Sequence, residues 1–276
     1  MKKLIRIEII KTLGYNPVKV LLLLHITFFL LGFFAIPRIR INFPFLSVLP
    51  LYQFPHVWNF ITWVGGYYNL SLVLLVIMLT CLEFNHKTYK HQVIFGLSRE
   101  NLFQQKIILS FLLSLYVVLL VFFTVIASGL MYSHKITMSL IFDRSVILAN
   151  TFLQTFTWLM TGVLFALVFK NMILSVMVFG FYRIILEPVL RNIASDEASW
   201  YFPTKFISKL TPEPEILKIV QQKIQNSEQA NPEELAQFRN FIPEGVPIWQ
   251  NVVFTFIFLS LVLITIRWIF LKRNLA

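Results

Sequence analysis

Apolar runs of membrane-spanning length recur six times along the chain, at about 18–36, 60–82, 107–130, 145–169, 172–190 and 248–270. Each approaches or exceeds the roughly 20 residues a helix needs to cross about 30 Å of hydrocarbon. The pattern predicts an all-α integral membrane protein: a single transmembrane domain over 1–276 with six transmembrane helices. Ahead of the first run, residues 1–14 are predicted helical, with Leu4, Ile5, Ile7, Ile9, Ile10 and Leu13 spread around the wheel among cations. The amphipathic signal there is weak. The segment 1–16 is read as an interfacial helix that ends at Asn16-Pro17, where proline removes a donor and turns its predecessor away from helical geometry. The first apolar run follows basic residues as a signal peptide does, but it is long and lacks a small-residue cleavage site, so it is expected to be retained as a span.

Between the spans the pattern breaks in informative ways. Residues 37–56 carry Pro37, Pro44, Pro50 and Pro55 among Phe43, Phe45, Tyr52 and Phe54, which predicts an irregular loop at the level of the headgroups. Gly65-Gly66 either kinks the second span or divides it from a short surface helix. Lys170-Asn171 leaves room only for a tight hairpin between the fourth and fifth spans. The stretch 191–247 is hydrophilic and contains two helix starts, Thr211-Pro212-Glu213 and Asn231-Pro232-Glu233, each with a capping side chain, a proline in the first turn and acids behind it. The first of these helices is expected at about 212–227.

Composition agrees with the pattern: 57% of residues are hydrophobic, 13% charged, and mean hydropathy is +0.73. These values exclude a water-soluble globule. A net charge of +11 suggests nucleic acid only until the charges are placed. The segments 1–19, 84–106, 170–171 and 267–273 fall on one side of a six-span chain, and there the cations are opposed only by Glu8, Glu83 and Glu100. On the other side, the six cations of 191–247 are outnumbered by eight acids. By the positive-inside rule both termini are cytoplasmic, and a nucleic-acid partner is not expected. Cys81 is the sole cysteine, so an internal disulfide is excluded and its apolar setting points to packing.

The most informative polar segment is 84–106. It is basic, with Lys87, Lys90 and His91 flanking Tyr89, Val93, Ile94 and Phe95. Gly96 can end a short helix in a left-handed cap, and Ser98 can start the next, with Glu100 near its positive end. A short helix with an apolar side, a turn at Gly96-Leu97 and a long third span are predicted. Such a helix suits a partner's groove; an ordinary basic loop anchoring two spans would share its charge.

The pattern of Glu83, then Lys87 and Thr88, then Gly96, Leu97, Ser98 and Arg99, then Lys106, resembles the loop between the second and third spans of ABC type-2 exporter permeases. Lys87 and Gln105 stand where glycine is usual in that family. Six spans, cytoplasmic termini and an elaborated region between the fifth and sixth spans are also similar. The resemblance implies a transmembrane subunit of the bacterial cytoplasmic (inner) membrane that pairs with a second permease protomer, as homodimer or heterodimer, and with two cytoplasmic ABC ATPase subunits that bind ATP and magnesium. The 84–98 loop would be its coupling helix. The residues it implicates in coupling are Glu83, Thr88, Tyr89, Phe95, Gly96 and Arg99, with Glu83 and Arg99 paired across the loop. It also implies short re-entrant helices at about 184–200. The outer loop is open to an extracytoplasmic partner, although its own signals predict only helices.

The chain has no phosphate-cradling P-loop, so ATP hydrolysis is expected on another polypeptide and the chain itself is not expected to be an enzyme. Nor does it carry His-Glu-x2-His, Gly-x-Ser-x-Gly or a Cys/His cluster at ligand spacing, and no catalytic, cofactor or metal residues are assigned. His86 and His91 read as solvated loop residues. Within the spans, Arg183 and Glu187 stand four apart, the spacing of neighbours on one helix face. They are expected to pair, or to border a water-filled path at an outer gate, since an unpaired charge in the bilayer is costly. His25 reads as a packing residue. Two rival readings remain at this stage: a membrane enzyme acting on lipids through Arg183, Glu187 or His25, and a structural membrane subunit without transport.

Overall fold

The computed structural model describes residues 2–38, 49–134, 136–214 and 246–272. Among them there is no strand, and six helices are long and apolar enough to cross a membrane. The helices are α1 (Lys2–Gly14), α2 (Asn16–Ala35), α3 (His56–Tyr68), α4 (Leu70–Asn85), α5 (Thr88–Ile94), α6 (Arg99–Tyr132), α7 (Met138–Phe142), α8 (Ile147–Phe169), α9 (Met172–Phe181), α10 (Glu187–Ile193), α11 (Asp196–Ser199), α12 (Pro203–Ser208) and α13 (Ile248–Lys272). A π-helical turn, Tyr182–Leu186, joins α9 to α10.

The bundle is built around α8, which packs on α4, α6, α9 and α13. In the fourth span 67% of the apolar window is buried, against 17% in the fifth and 22% in the first, so α8 is the axis while α2 and α9 lie on the outside. Close approach to α4 is permitted by Gly162, where a Cβ would stand 2.7 Å from Val73 Cγ1 and 3.4 Å from the Val73 carbonyl oxygen. The threonines of α8 satisfy themselves within an apolar setting: Thr151, Thr157 and Thr161 each donate to the carbonyl four residues back, at 2.7–2.9 Å. Polar side chains thereby cost the core little.

The second span is divided at Asn69, between α3 and α4, rather than at its glycine pair. Gly65 and Gly66 lie inside α3, where a Cβ would meet the Phe29 ring at 3.2 Å and Gln154 Oε1 at 3.3 Å; their role is to let α2 and α8 close in. Nor is α3 a surface helix, because Val57, Trp58 and Ile61 are wholly buried and Trp58 Nε1 donates to the Ile141 carbonyl at 2.7 Å. The proline-aromatic segment before it is only partly described, residues 39–48 lying outside the described residues. Its described end packs into the bundle, with Tyr52 and Phe54 buried and the Phe54 amide donating to Ser133 Oγ at 2.9 Å.

Beyond the fifth span the chain does not turn back at residue 184. It runs through the π turn into α10, with Pro188 in the first turn, and then forms the short α11 and α12. Phe206, Ile207 and Leu210 are buried there, and Tyr201 and Phe206 set their rings against Phe254 of α13. The helices expected at about 212–227 and after Asn231 fall almost wholly outside the described residues.

Candidate functional site

Between α4 and α6 the chain forms the short helix and turn that its residues prescribe. Gly96 has φ +90°, the Leu97 amide reaches back to the Gln92 carbonyl and the Gly96 amide to that of Val93, both at 3.0 Å, closing α5 with a Schellman motif. Ser98 Oγ then accepts from the Asn101 amide at 3.2 Å and caps α6. At the tip, Phe95 is 85% exposed and Ile94 67%, with Lys87, Lys90 and His91 also exposed around them. Thr88 opens α5, half-buried. The residue before it, Lys87, has φ +54°, a left-handed conformation that costs a side-chain-bearing residue about 1–2 kcal/mol. Lys87→Gly is expected to raise stability by about 1 kcal/mol, read as a higher melting temperature of the solubilised protein; a lower one would count against this turn geometry.

The root of α5 is anchored by a buried group of charges. Glu83, at the end of α4, forms ion pairs with Lys11 of α1 and Lys106 of α6. Lys11 also pairs with Glu8 at 2.5 Å, and Lys106 Nζ lies 3.9 Å from Glu8. Lys106 and Glu8 are essentially without exposure, so two carboxylates and two ammoniums neutralise one another away from water. Tyr89 of α5, also buried, covers the group: Lys106 Nζ is 5.5 Å from its ring centre, and its ring meets Phe84 and, from α13, Phe270. Burial first, and then the Glu83 carboxylate, hold the Tyr89 phenol well above its ordinary value, so it stays neutral. For Lys11, burial opposes the charge, but Glu83 and then Glu8 outweigh it and the ammonium is held above its usual range. A raised lysine pKa gives stability that is complete below about 10.4 and is lost as pH rises through the folded-state value, so this contribution is intact at neutral pH.

This arrangement explains α1. Its buried face is Leu4, Glu8 and Thr12, with Lys11 beside them, while Ile9, Ile10 and Leu13 are exposed. Both faces are mixed, with Leu4 beside Glu8 and Thr12 inside and Arg6 beside Ile9, Ile10 and Leu13 outside, so its residues give no clear amphipathic signature.

Glu83 and Arg99 are thus not partners. Arg99 Nη1 donates to the Leu271 carbonyl at 2.8 Å, a cation at the C-terminal end of α13, and Arg267 of α13 pairs with Glu100 at 3.2 Å. Glu83 and Tyr89 come together at the root of α5, Gly96 and Phe95 form its tip, and Arg99 ties α6 to the sixth span. Sequence reasoning missed Glu8 and Lys11 altogether and used Lys106 only as part of a pattern. The available signal was a lone lysine at the start of an apolar run, facing a glutamate at the end of the previous one, with Glu8, Lys11 and Thr12 at helical spacing upstream.

At the far end of the bundle, Arg183 and Glu187 do not close an ion pair with one another among the described residues. Glu187 is buried and its Oε1 accepts from both the amide and the hydroxyl of Thr204, each at 2.5 Å. Arg183 lies over the Trp158 ring, its guanidinium carbon 4.1 Å from the centre. Each side chain takes a partner from elsewhere in the chain, Glu187 from Thr204 and Arg183 from Trp158. Elsewhere, His25 Nδ1 stands 2.9 Å from the Tyr116 hydroxyl between α2 and α6, and Cys81 Sγ 3.8 Å from Ser175 Oγ. Among the described residues no group of three or more His, Cys, Asp or Glu is placed to hold a metal ion.

No protein-family model matches the chain, and a search of curated proteins found no match.

Proposed function

We propose that the chain is the transmembrane permease subunit of an ATP-driven ABC exporter, working in a bacterial inner membrane with its termini and α5 on the cytoplasmic side. The observation that carries this reading is the construction of α5: an exposed apolar tip, Ile94 and Phe95, ringed by cations and rooted through Tyr89 in a charge group shared by α1, α4 and α6. A partner that displaces the tip displaces two spans and the amino-terminal helix together. In this reading ATP and magnesium are held by separate ABC ATPase subunits, and closure of those subunits drives α5 and switches the access of a path formed with a second permease protomer. The side chains named for a lipid-active enzyme gain nothing from the geometry, since His25 is engaged with Tyr116 between α2 and α6 while Arg183 and Glu187 are held by different neighbours at the far end. Convergent groups at one place are what such chemistry needs.

The reading is tested by purifying the tagged chain from its native membrane in mild detergent and identifying co-eluting proteins by mass spectrometry. A stoichiometric P-loop ATPase is expected; a homogeneous single protein without ATPase activity would contradict the proposal.

A further inference from the structure

Arg183 lies in a recess that neither the α5 site nor the bundle core accounts for. The recess is bordered by Trp63 and Tyr67 of α3, Gln154 and Trp158 of α8, Ser208 at the end of α12 and Thr211 just beyond it. Gln154 Nε2 holds the end of α12 in place by donating to the Ile207 carbonyl at 3.0 Å and to Thr211 Oγ1 at 3.1 Å. Arg183 is treated differently: its Nη1 is buried and has no hydrogen-bond partner. A buried guanidinium N–H without an acceptor is costly, because that group is desolvated and nothing replaces the water. Unpartnered donors and π turns both concentrate where ligands bind.

We propose that this recess binds a phosphate group through Arg183. The guanidinium fork matches the oxygens of a phosphate, and Trp158 fixes its plane from below. Trp63 and Tyr67, in edge-to-face contact at 5.5 Å, form an aromatic rim of the kind that sits at headgroup depth. The recess holds a cavity of about 30 Å³ open to the outside, which admits a small charged group with the rest of its molecule outside. Glu187 remains the nearest counter-charge, so binding is moderate in strength and weakened by salt. The proposal is independent of any ATPase, so its failure and that of the permease reading are separately visible.

The test is native mass spectrometry of the intact protein in neutral detergent, titrated with phosphatidylglycerol, with diacylglycerol as the phosphate-free control and inorganic phosphate as competitor. Phosphatidylglycerol is expected to bind and diacylglycerol not, and Arg183→Gln is expected to weaken binding about tenfold. Competition by inorganic phosphate at millimolar concentration would assign the site to free phosphate, and its absence to the lipid headgroup; both support a phosphate site. Should Arg183→Gln fail to fold, Arg183→Lys and Trp158→Leu carry the test, each with a several-fold loss. Binding unchanged in these variants, or no binding beyond that of diacylglycerol, would overturn the proposal.

Discussion

Lys106→Met is expected to destabilise the bundle by about 3–5 kcal/mol, because it leaves a buried carboxylate without its compensating charge. For a chain of this size that corresponds to a melting temperature lower by roughly 10 °C, measured on detergent-solubilised protein by fluorescence-detected gel filtration. Glu83→Gln should be similarly damaging, since it strands Lys106. The double variant separates this account from simple loss of packing. With both residues neutral, Glu8 and Lys11 still balance one another, so Glu83→Gln with Lys106→Met should recover at least half of the single-variant loss. Additive losses would show that the two do not act as a pair. Arg99→Met serves as the control, because Arg99 interacts with a helix end and not with Glu83; its effect should be much the smaller.

Phe95→Asp is expected to leave folding intact and to remove the cytoplasmic partner. The side chain is 85% exposed, so its replacement disturbs little within the chain. An exposed aromatic at the tip of a basic turn is the kind of residue that anchors an interface, and losing it should cost about 2 kcal/mol or more, roughly 30-fold in affinity. The measurement is recovery of the proposed ATPase partner with the tagged chain, alongside an unchanged melting curve. Undiminished recovery would place the interface elsewhere.

What could be read from the residues depended on how local the cause was. The six long helices follow from length and apolarity alone, and the α5 turn follows from Gly96 and Ser98, whose backbone preferences act within a few residues. The left-handed Lys87 is not legible, because lysine has no preference for that conformation. The partners of Glu83 are not legible either, since they come from α1 and α6, and α1 mixes polar and apolar side chains on both faces. Arg99 looked the natural partner because it lies in the same loop; the long-range arrangement of α13 gave it another. The spacing of Arg183 and Glu187 shows only that they share a helix face; Thr204 and Trp158, the partners they take, lie far from them in sequence. The glycines of α3 were rightly marked as special, but the reason was the approach of Phe29 and Gln154 and not a bend.

The central claim is that the tip of α5 touches an ATPase, and site-directed cross-linking tests it most directly. Cys81 is buried, so a cysteine introduced as Phe95→Cys is the principal reactive thiol on the described surface. A short photoactivatable reagent attached there in native membranes is expected to yield one dominant adduct, to a P-loop ATPase, that is missing when the same reagent is placed at Met138, 76% exposed at the far end of the bundle. Adducts with lipid alone at position 95, or the same protein adducts from both positions, would contradict the claim.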